Sequence, residues 1–402
     1  MFSSSDLAFP KPGASPHSFS RSSAAKIPFI GISGISLLII VIFLTGGCTH
    51  QRNPVEIIPP DHPAAITTLP QAAAPRQTVP NPLPYSLPRD AHPDTRPYSV
   101  PRDHAPNLIA LAGPFPRPAS LEPAVAFWRK VYSVWRRSQV VIHDDRLLDV
   151  IYEVVNLPAP VAESLTPEQK EVVTLRKNYW KARLAQLENK LSTRLPLDGE
   201  ERRLIVSFQA SGRQQLIAGA ADRVHSQRGT RERFLRGMEI SSRYDRIFRQ
   251  IFREAGLPED LAYLPHIESS FQVAARSSAG AVGIWQFTRG AAERFMTVNS
   301  RIDERLDPIA SARGAARYLA YAYAKLRDWP TALTSYNYGI NGMMRAQNQL
   351  GNNFVRIVHE YDHPNFGFAS RNYYAEFLAA RDIAGNPEGY RDYRTASSYP
   401  LD

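Results

Sequence analysis

The stretch Leu257-Pro-Glu-Asp-Leu-Ala-Tyr-Leu-Pro-His-Ile-Glu-Ser-Ser-Phe271, with Arg276-Ser-Ser-Ala-Gly-Ala-Val-Gly-Ile-Trp-Gln-Phe287 close behind it, decides how this chain is read. Leu261, Leu264, Ile267 and Phe271 recur at helical spacing, and the carboxylate of Glu268 sits among them. An ionised Glu is costly to bury, so sequences normally keep it off an apolar face. A Glu held there has its pKa raised and is suited to donating a proton. Two hydroxyls (Ser269, Ser270), a Gly-rich turn and the aromatic-amide pair Trp285-Gln286 follow it. That is equipment for protonating an oxygen of a polar, ring-shaped substrate.

Outward from this stretch, helix signals follow one another from Leu121 onward. Phe127, Val131, Val134 and Trp135 share one helical face. Asp144/Asp145 can cap a helix carrying Leu148, Ile151, Tyr152 and Val155. Thr166-Pro167-Glu168-Gln169 is a capping box with Pro at the first helical position, opening a long charged helix to about Leu191. Asp198 caps another. Ser241/Ser242 start a helix bearing Tyr244, Ile247, Phe248, Ile251 and Phe252, which Gly256 stops. Asp307-Pro308, Pro330 and Ser370 begin three more, the last with Tyr373, Phe377 and Leu378 inward. The expected class is all-α, with strand content limited to a short hairpin.

The remaining sequence is of a different kind. Arg21 and Lys26 precede a charge-free stretch from Ile27 to Gly47 that ends Leu-Thr-Gly-Gly-Cys48. Residues 1–48 read as a bacterial lipoprotein signal peptide with Cys48 as the lipidated residue, although Thr45 departs from the usual Leu. The alternative is a single-pass anchor. Both put Thr49 onward outside the cytoplasm. About half of the 33 prolines lie between Pro54 and Pro123, so residues 49–120 read as an extended tether. A helical subdomain over 121–240 and a catalytic domain over 241–390 complete the expected organisation.

The formal charge of +10 suits an anionic neighbour. No basic-aromatic groove or binding motif supports nucleic acid. The single cysteine excludes an internal disulfide and a Cys-rich metal site, and no His/Asp/Glu spacing suggests another metal or a cofactor. Gly280–Gly283 is not a phosphate loop, because no Lys-Ser/Thr follows. Ser269 and His266 do not converge on a helix, so they are no nucleophilic dyad.

Glu268-Ser269, then Ser277 with Gly280-Ala281-Val282-Gly283-Ile284-Trp285-Gln286, then Ser335-Tyr336-Asn337-Tyr338-Gly339, then Arg371-Asn372-Tyr373 resembles the four-motif signature of the family 1 lytic transglycosylases. Trp285 within its motif, and the Gln139–Asp145 stretch, point to the membrane-bound D-type branch. The resemblance covers roughly residues 121–384. The LysM cell-wall-binding repeats common in that branch have no counterpart after the last motif.

The resemblance implies a lysozyme-like catalytic domain of the goose-type lysozyme and soluble lytic transglycosylase kind. Its substrate would be the glycan strands of peptidoglycan, with no cofactor. Glu268 matches the sole catalytic acid/base, which cleaves the bond between N-acetylmuramic acid and N-acetylglucosamine and closes a 1,6-anhydro ring. Ser269, Gln286 and Asn337 match substrate-contacting groups, and Tyr336 and Tyr373 match tyrosines near the acid. The lipid anchor would hold the chain on the periplasmic side of the envelope, at the outer membrane. The other readings are a lysozyme-type hydrolase on the same fold and a non-catalytic, envelope-tethered glycan-binding scaffold. Nearby acids have structural roles of their own, Glu259 and Asp260 at a helix N-terminus and Asp307 at a cap. No second catalytic acid is therefore expected. Taken by itself Trp285 is more often a core residue than a sugar platform, His266 more often caps or packs than catalyses, and Gly280 and Gly283 would let the backbone approach a sugar ring.

Overall fold

Side-chain caps start six of the twelve α-helices in the computed structural model, which describes residues 113–387. The expected signal peptide, Cys48 and nearly all of the tether lie outside the described residues. The long helix α2 (Pro167–Thr193) opens on the foreseen capping box. Thr166 Oγ1 accepts from the Gln169 amide at 3.2 Å, and Gln169 Oε1 accepts from the Thr166 amide at 3.1 Å. Asp198 does the same for α3 (Gly199–Ala210) through Glu201. Asp307 caps α8 (Pro308–Leu326), and Asp328 caps α9 (Trp329–Tyr338). The other helices are α1 (Glu122–Ser133), α4 (Arg231–Ser241), α5 (Asp245–Glu254), α6 (Leu264–Glu268), α7 (Arg289–Ala292), α10 (Ile340–Leu350), α11 (Phe354–Glu360) and α12 (Phe368–Gly385).

The chain is thus mostly helical, but it contains more strand than one hairpin. Strands β1 (Gln139–Asp144), β2 (Ile151–Asn156) and β3 (Val224–Arg228) form an antiparallel sheet in the order β2-β1-β3. The helix expected over Leu148–Val155 is therefore wrong. The Asp144 carboxylate accepts from the amides of Arg146 (2.8 Å) and Leu147 (3.0 Å), which closes a tight turn instead of starting a helix. The β-branched residues that follow then pair back on β1. Ser241 and Ser242 do not start a helix either. Their hydroxyls bond back to the carbonyls of Met238 and Glu239, ending α4, and α5 begins at Asp245.

The apolar residues gather in two clusters with β1 between them. Val141 belongs to the larger cluster, and its neighbours Val140 and Ile142 to the smaller one. Alternate side chains of one strand thereby face two cores. The smaller core also takes Trp180, Leu184 and Leu187 of α2 and Phe208 of α3. The larger core holds α1, α5, α8, α9 and α12, together with the Leu257–Phe287 segment. Tyr132 of α1 stacks on Phe234 of α4 (centroids 4.8 Å apart), and its hydroxyl bonds to Glu376 of α12. α1 is thereby packed against α4 and α12. No helix among the described residues is long and apolar enough to cross a membrane.

Candidate active site

Glu268 ends α6, and the chain reverses immediately after it. A 3₁₀ turn (Glu259–Tyr263) leads into α6, whose last residue is the acid. The helical register expected to continue to Phe271 breaks here. Ser270 (φ 51°) and Phe271 (φ 58°) are left-handed, and the Phe271 amide bonds back to the Pro265 carbonyl. Phe271 still reaches the core, by that reversal and not by a further helical turn. α4 crosses the reversal so closely that a Cβ on Gly237 would lie 2.7 Å from the Ser270 carbonyl oxygen.

The result is a carboxyl that is only 7% exposed. Burial pushes it up to about 7, against a hydrogen bond from Tyr373 that favours the ionised form. That bond, from the Tyr373 hydroxyl to Oε1, is short. No cation acts on the acid. At neutral pH Glu268 is therefore poised between its acid and its base form, as a group that first gives and then takes a proton must be.

The other expected site residues mostly hold backbone. Ser269 is fully buried, and its hydroxyl donates to the Ile284 carbonyl at 2.8 Å. Gln286 has φ 50°, and its amide nitrogen donates to the Gly283 carbonyl at 2.8 Å and the Ala275 carbonyl at 3.3 Å. Tyr336 donates to the Trp285 carbonyl at 2.9 Å and feels the Glu268 charge. Asn337 Oδ1 accepts from Ser370 at 2.7 Å, tying α9 to α12. Ser269, Tyr336 and Gln286 thus fix the Gly-Ile-Trp-Gln turn in place against Glu268. Trp285 lies in the core between Phe248 and Phe252 and is no sugar platform. The space beside Gly283 goes to protein backbone, not to a sugar: a Cβ would sit 2.0 Å from the Arg305 carbonyl oxygen. His266 is buried against Phe234 and Phe271, and burial lowers it to about 3.

Among the acids near Glu268 in sequence, Glu259 pairs with Arg253, Asp303 with Arg305 and Glu293 with Arg289, while Asp307 caps α8. The second carboxyl close enough to feel Glu268 is one that sequence reasoning missed. Burial and the Glu268 charge raise Glu376 on α12 to about 8, while a bond from Tyr132 opposes the rise. The signal was available: Glu376 follows Tyr373 by three residues and precedes the inward Phe377, the same misplaced-carboxylate pattern that picked out Glu268. No group of three or more side chains able to hold a metal occurs among the described residues.

Residues 247–354 match the family model of the Transglycosylase SLT domain. Over those residues the chain is similar to a lytic-transglycosylase-type domain. A protein of Alteromonas sp. (strain M-1) named for tributyltin chloride resistance is 35% identical over 98 residues, 24% of this chain and 47% of that protein. A membrane-bound lytic murein transglycosylase F 2 of Alkalilimnicola ehrlichii is 35% identical over 113 residues, 26% of this chain and 24% of that one. The membrane-bound lytic murein transglycosylase D of Escherichia coli (strain K12) is 30% identical over 96 residues, 23% of this chain and 21% of its own. The matches thus span less than half of these relatives' lengths.

Proposed function

We propose that this chain is a peptidoglycan lytic transglycosylase, with Glu268 acting first as acid and then as base. The observation that carries the reading is the buried carboxyl at the end of α6, raised to about 7 and held by Tyr373. The protonated Glu268 gives its proton to the glycosidic oxygen between N-acetylmuramic acid and N-acetylglucosamine, and the C1–O bond breaks. The resulting carboxylate takes the proton of the muramyl C6 hydroxyl. That oxygen closes on C1 to give the 1,6-anhydro ring, and Glu268 returns to its acid form. Water is not consumed, and the tethered hydroxyl gains the advantage of an intramolecular nucleophile.

Glu376 supports this route over a lysozyme-type hydrolase. A retaining hydrolase needs a second, ionised carboxylate as nucleophile. The neighbouring carboxyl here is raised to about 8 and is mostly neutral at pH 7. Ser269, Gln286, Tyr336, Asn337 and Tyr373 form the surroundings in which the glycan is held, within a catalytic domain at residues 241–390. Relatives named as membrane-bound murein transglycosylases agree with an envelope location, and lipidation at Cys48 would supply the anchor, at the outer membrane. The test is mass spectrometry of purified sacculi digested by the full-length chain. Muropeptides one water lighter than hydrolysis products are expected, and products carrying the added water would overturn the reading.

A further inference from the structure

Glu376 belongs to no motif that picked out the site, and no cation acts on its carboxyl. It follows Tyr373 by three residues on α12, so the two side chains leave the same face of the helix a turn apart. Tyr373 reaches Glu268 on α6, and Tyr132 reaches Glu376 from α1, donating to Oε2 at 3.0 Å. Tyr336 of α9 is close enough to act electrostatically on the Tyr373 hydroxyl. The neighbours Tyr374, Ala375, Phe377 and Leu378 are buried, whereas Glu376 stays partly open to solvent. Its Oε1 takes part in no hydrogen bond among the described residues.

A carboxyl that serves packing alone is normally paired, because removing it from water is otherwise uncompensated. Glu376 is half-paired, through one oxygen only, and lies close enough to Glu268 to feel its charge. Its other oxygen remains available for a ligand.

We propose that Glu376 is a glycan-binding group of this site, with Oε2 fixed by Tyr132 and Oε1 offered to an acceptor oxygen of the sugar chain beside the bond that Glu268 protonates. The proposal rests on the reading of the Glu268 site as a glycan site. Burial keeps the carboxyl protonated up to about 8, so at neutral pH Oε1 carries a hydrogen and donates it. The matching partner is an acceptor with no hydrogen to give, such as an N-acetyl carbonyl. Above that pH the group becomes an acceptor only and the bond is lost. The titratable groups facing it are Tyr132 from α1, Glu268 from α6 and Tyr373 on its own helix. On the adjoining 3₁₀ turn, Asp260 is taken up by Arg249 and Arg381. On α11, Glu360 is taken up by Arg356.

The experiment is calorimetric binding of a soluble tetrasaccharide of alternating N-acetylglucosamine and N-acetylmuramic acid to the full-length chain carrying Glu268→Gln, which cannot turn it over. Between about pH 6 and pH 9, affinity is expected to fall about five- to tenfold, the loss of one hydrogen bond. The midpoint should lie below 8, because the Glu268 charge that helps raise Glu376 is gone. Adding Glu376→Gln, which keeps shape and a donor, should abolish the fall and retain most of the affinity. Adding Tyr132→Phe should move the midpoint upward, since the bond it removes favours the ionised form. A flat pH dependence in the Glu268→Gln chain, or a fall that persists with Glu376→Gln, would overturn the proposal. Absence of binding at every pH would instead overturn the glycan reading and take this proposal with it.

Discussion

The Tyr373 hydroxyl donates to Oε1 of Glu268 across 105 residues of chain, joining the start of the last helix to the end of a five-residue one. The bond orients one carboxyl oxygen and leaves the other for substrate. It also opposes the rise that burial imposes on the acid.

Glu268→Gln keeps the volume and removes the proton. Muropeptide release from sacculi should drop at least about a thousandfold, within the range a general acid contributes. Circular dichroism and melting should be little changed. Wild-type digestion by this variant would refute the catalytic assignment.

Tyr373→Phe removes a bond that stabilises the ionised form of Glu268, so the acid should hold its proton to higher pH. Activity depends on the protonated carboxyl and is lost as pH rises through its pKa. The alkaline limb of kcat/KM should therefore move up from about 7, with a loss of roughly tenfold from poorer orientation. The pH profile checks both.

Stability should peak near neutrality. Burial lowers His143 and His266 to about 3 and His225 to about 4 from 6.5. The unfolded chain therefore binds more protons between those values, and stability rises with pH up to about 6.5. Glu268 and Glu376 are raised from 4.5 to about 7 and about 8. The folded chain holds these protons longer, so stability falls as pH climbs to 8. Below 6.5 the three histidines outweigh the two carboxyls, and above it only the carboxyls act. Melting scans should show the maximum, and Glu376→Gln should flatten its alkaline side.

Gly283→Ala should destabilise the chain by about 3 kcal/mol or more, because the position combines backbone strain with a clash against protein backbone. Its φ is +80°, and the added Cβ would meet the Arg305 carbonyl oxygen at 2.0 Å. Gly280→Ala, with φ +77° and open space around it, should cost less. Denaturant titration of the two variants separates strain from clash.

Local chemistry was written in the sequence wherever a side chain acts on its own neighbourhood. Thr166, Asp198 and Asp307 start their helices within a few bonds of themselves, so capping was legible without a partner. Glu268 was legible because a carboxylate on an apolar face is conspicuous in any fold. Ile151, Tyr152 and Val155 fit a helical period and a strand equally well, and only pairing with β1 chose between them. What Ser269 and Tyr336 bond to was likewise undetermined, because their acceptors are the carbonyls of Ile284 and Trp285, in a turn distant along the chain. Glu376 gained its meaning when α12 packed on α1 and α6, since its raised pKa comes from burial and a distant charge. The sequence by itself determined the side-chain-capped helices and the misplaced carboxylate of Glu268. The tertiary structure decided which groups surround that acid, because burial and charge coupling depend on distances that chain order does not specify.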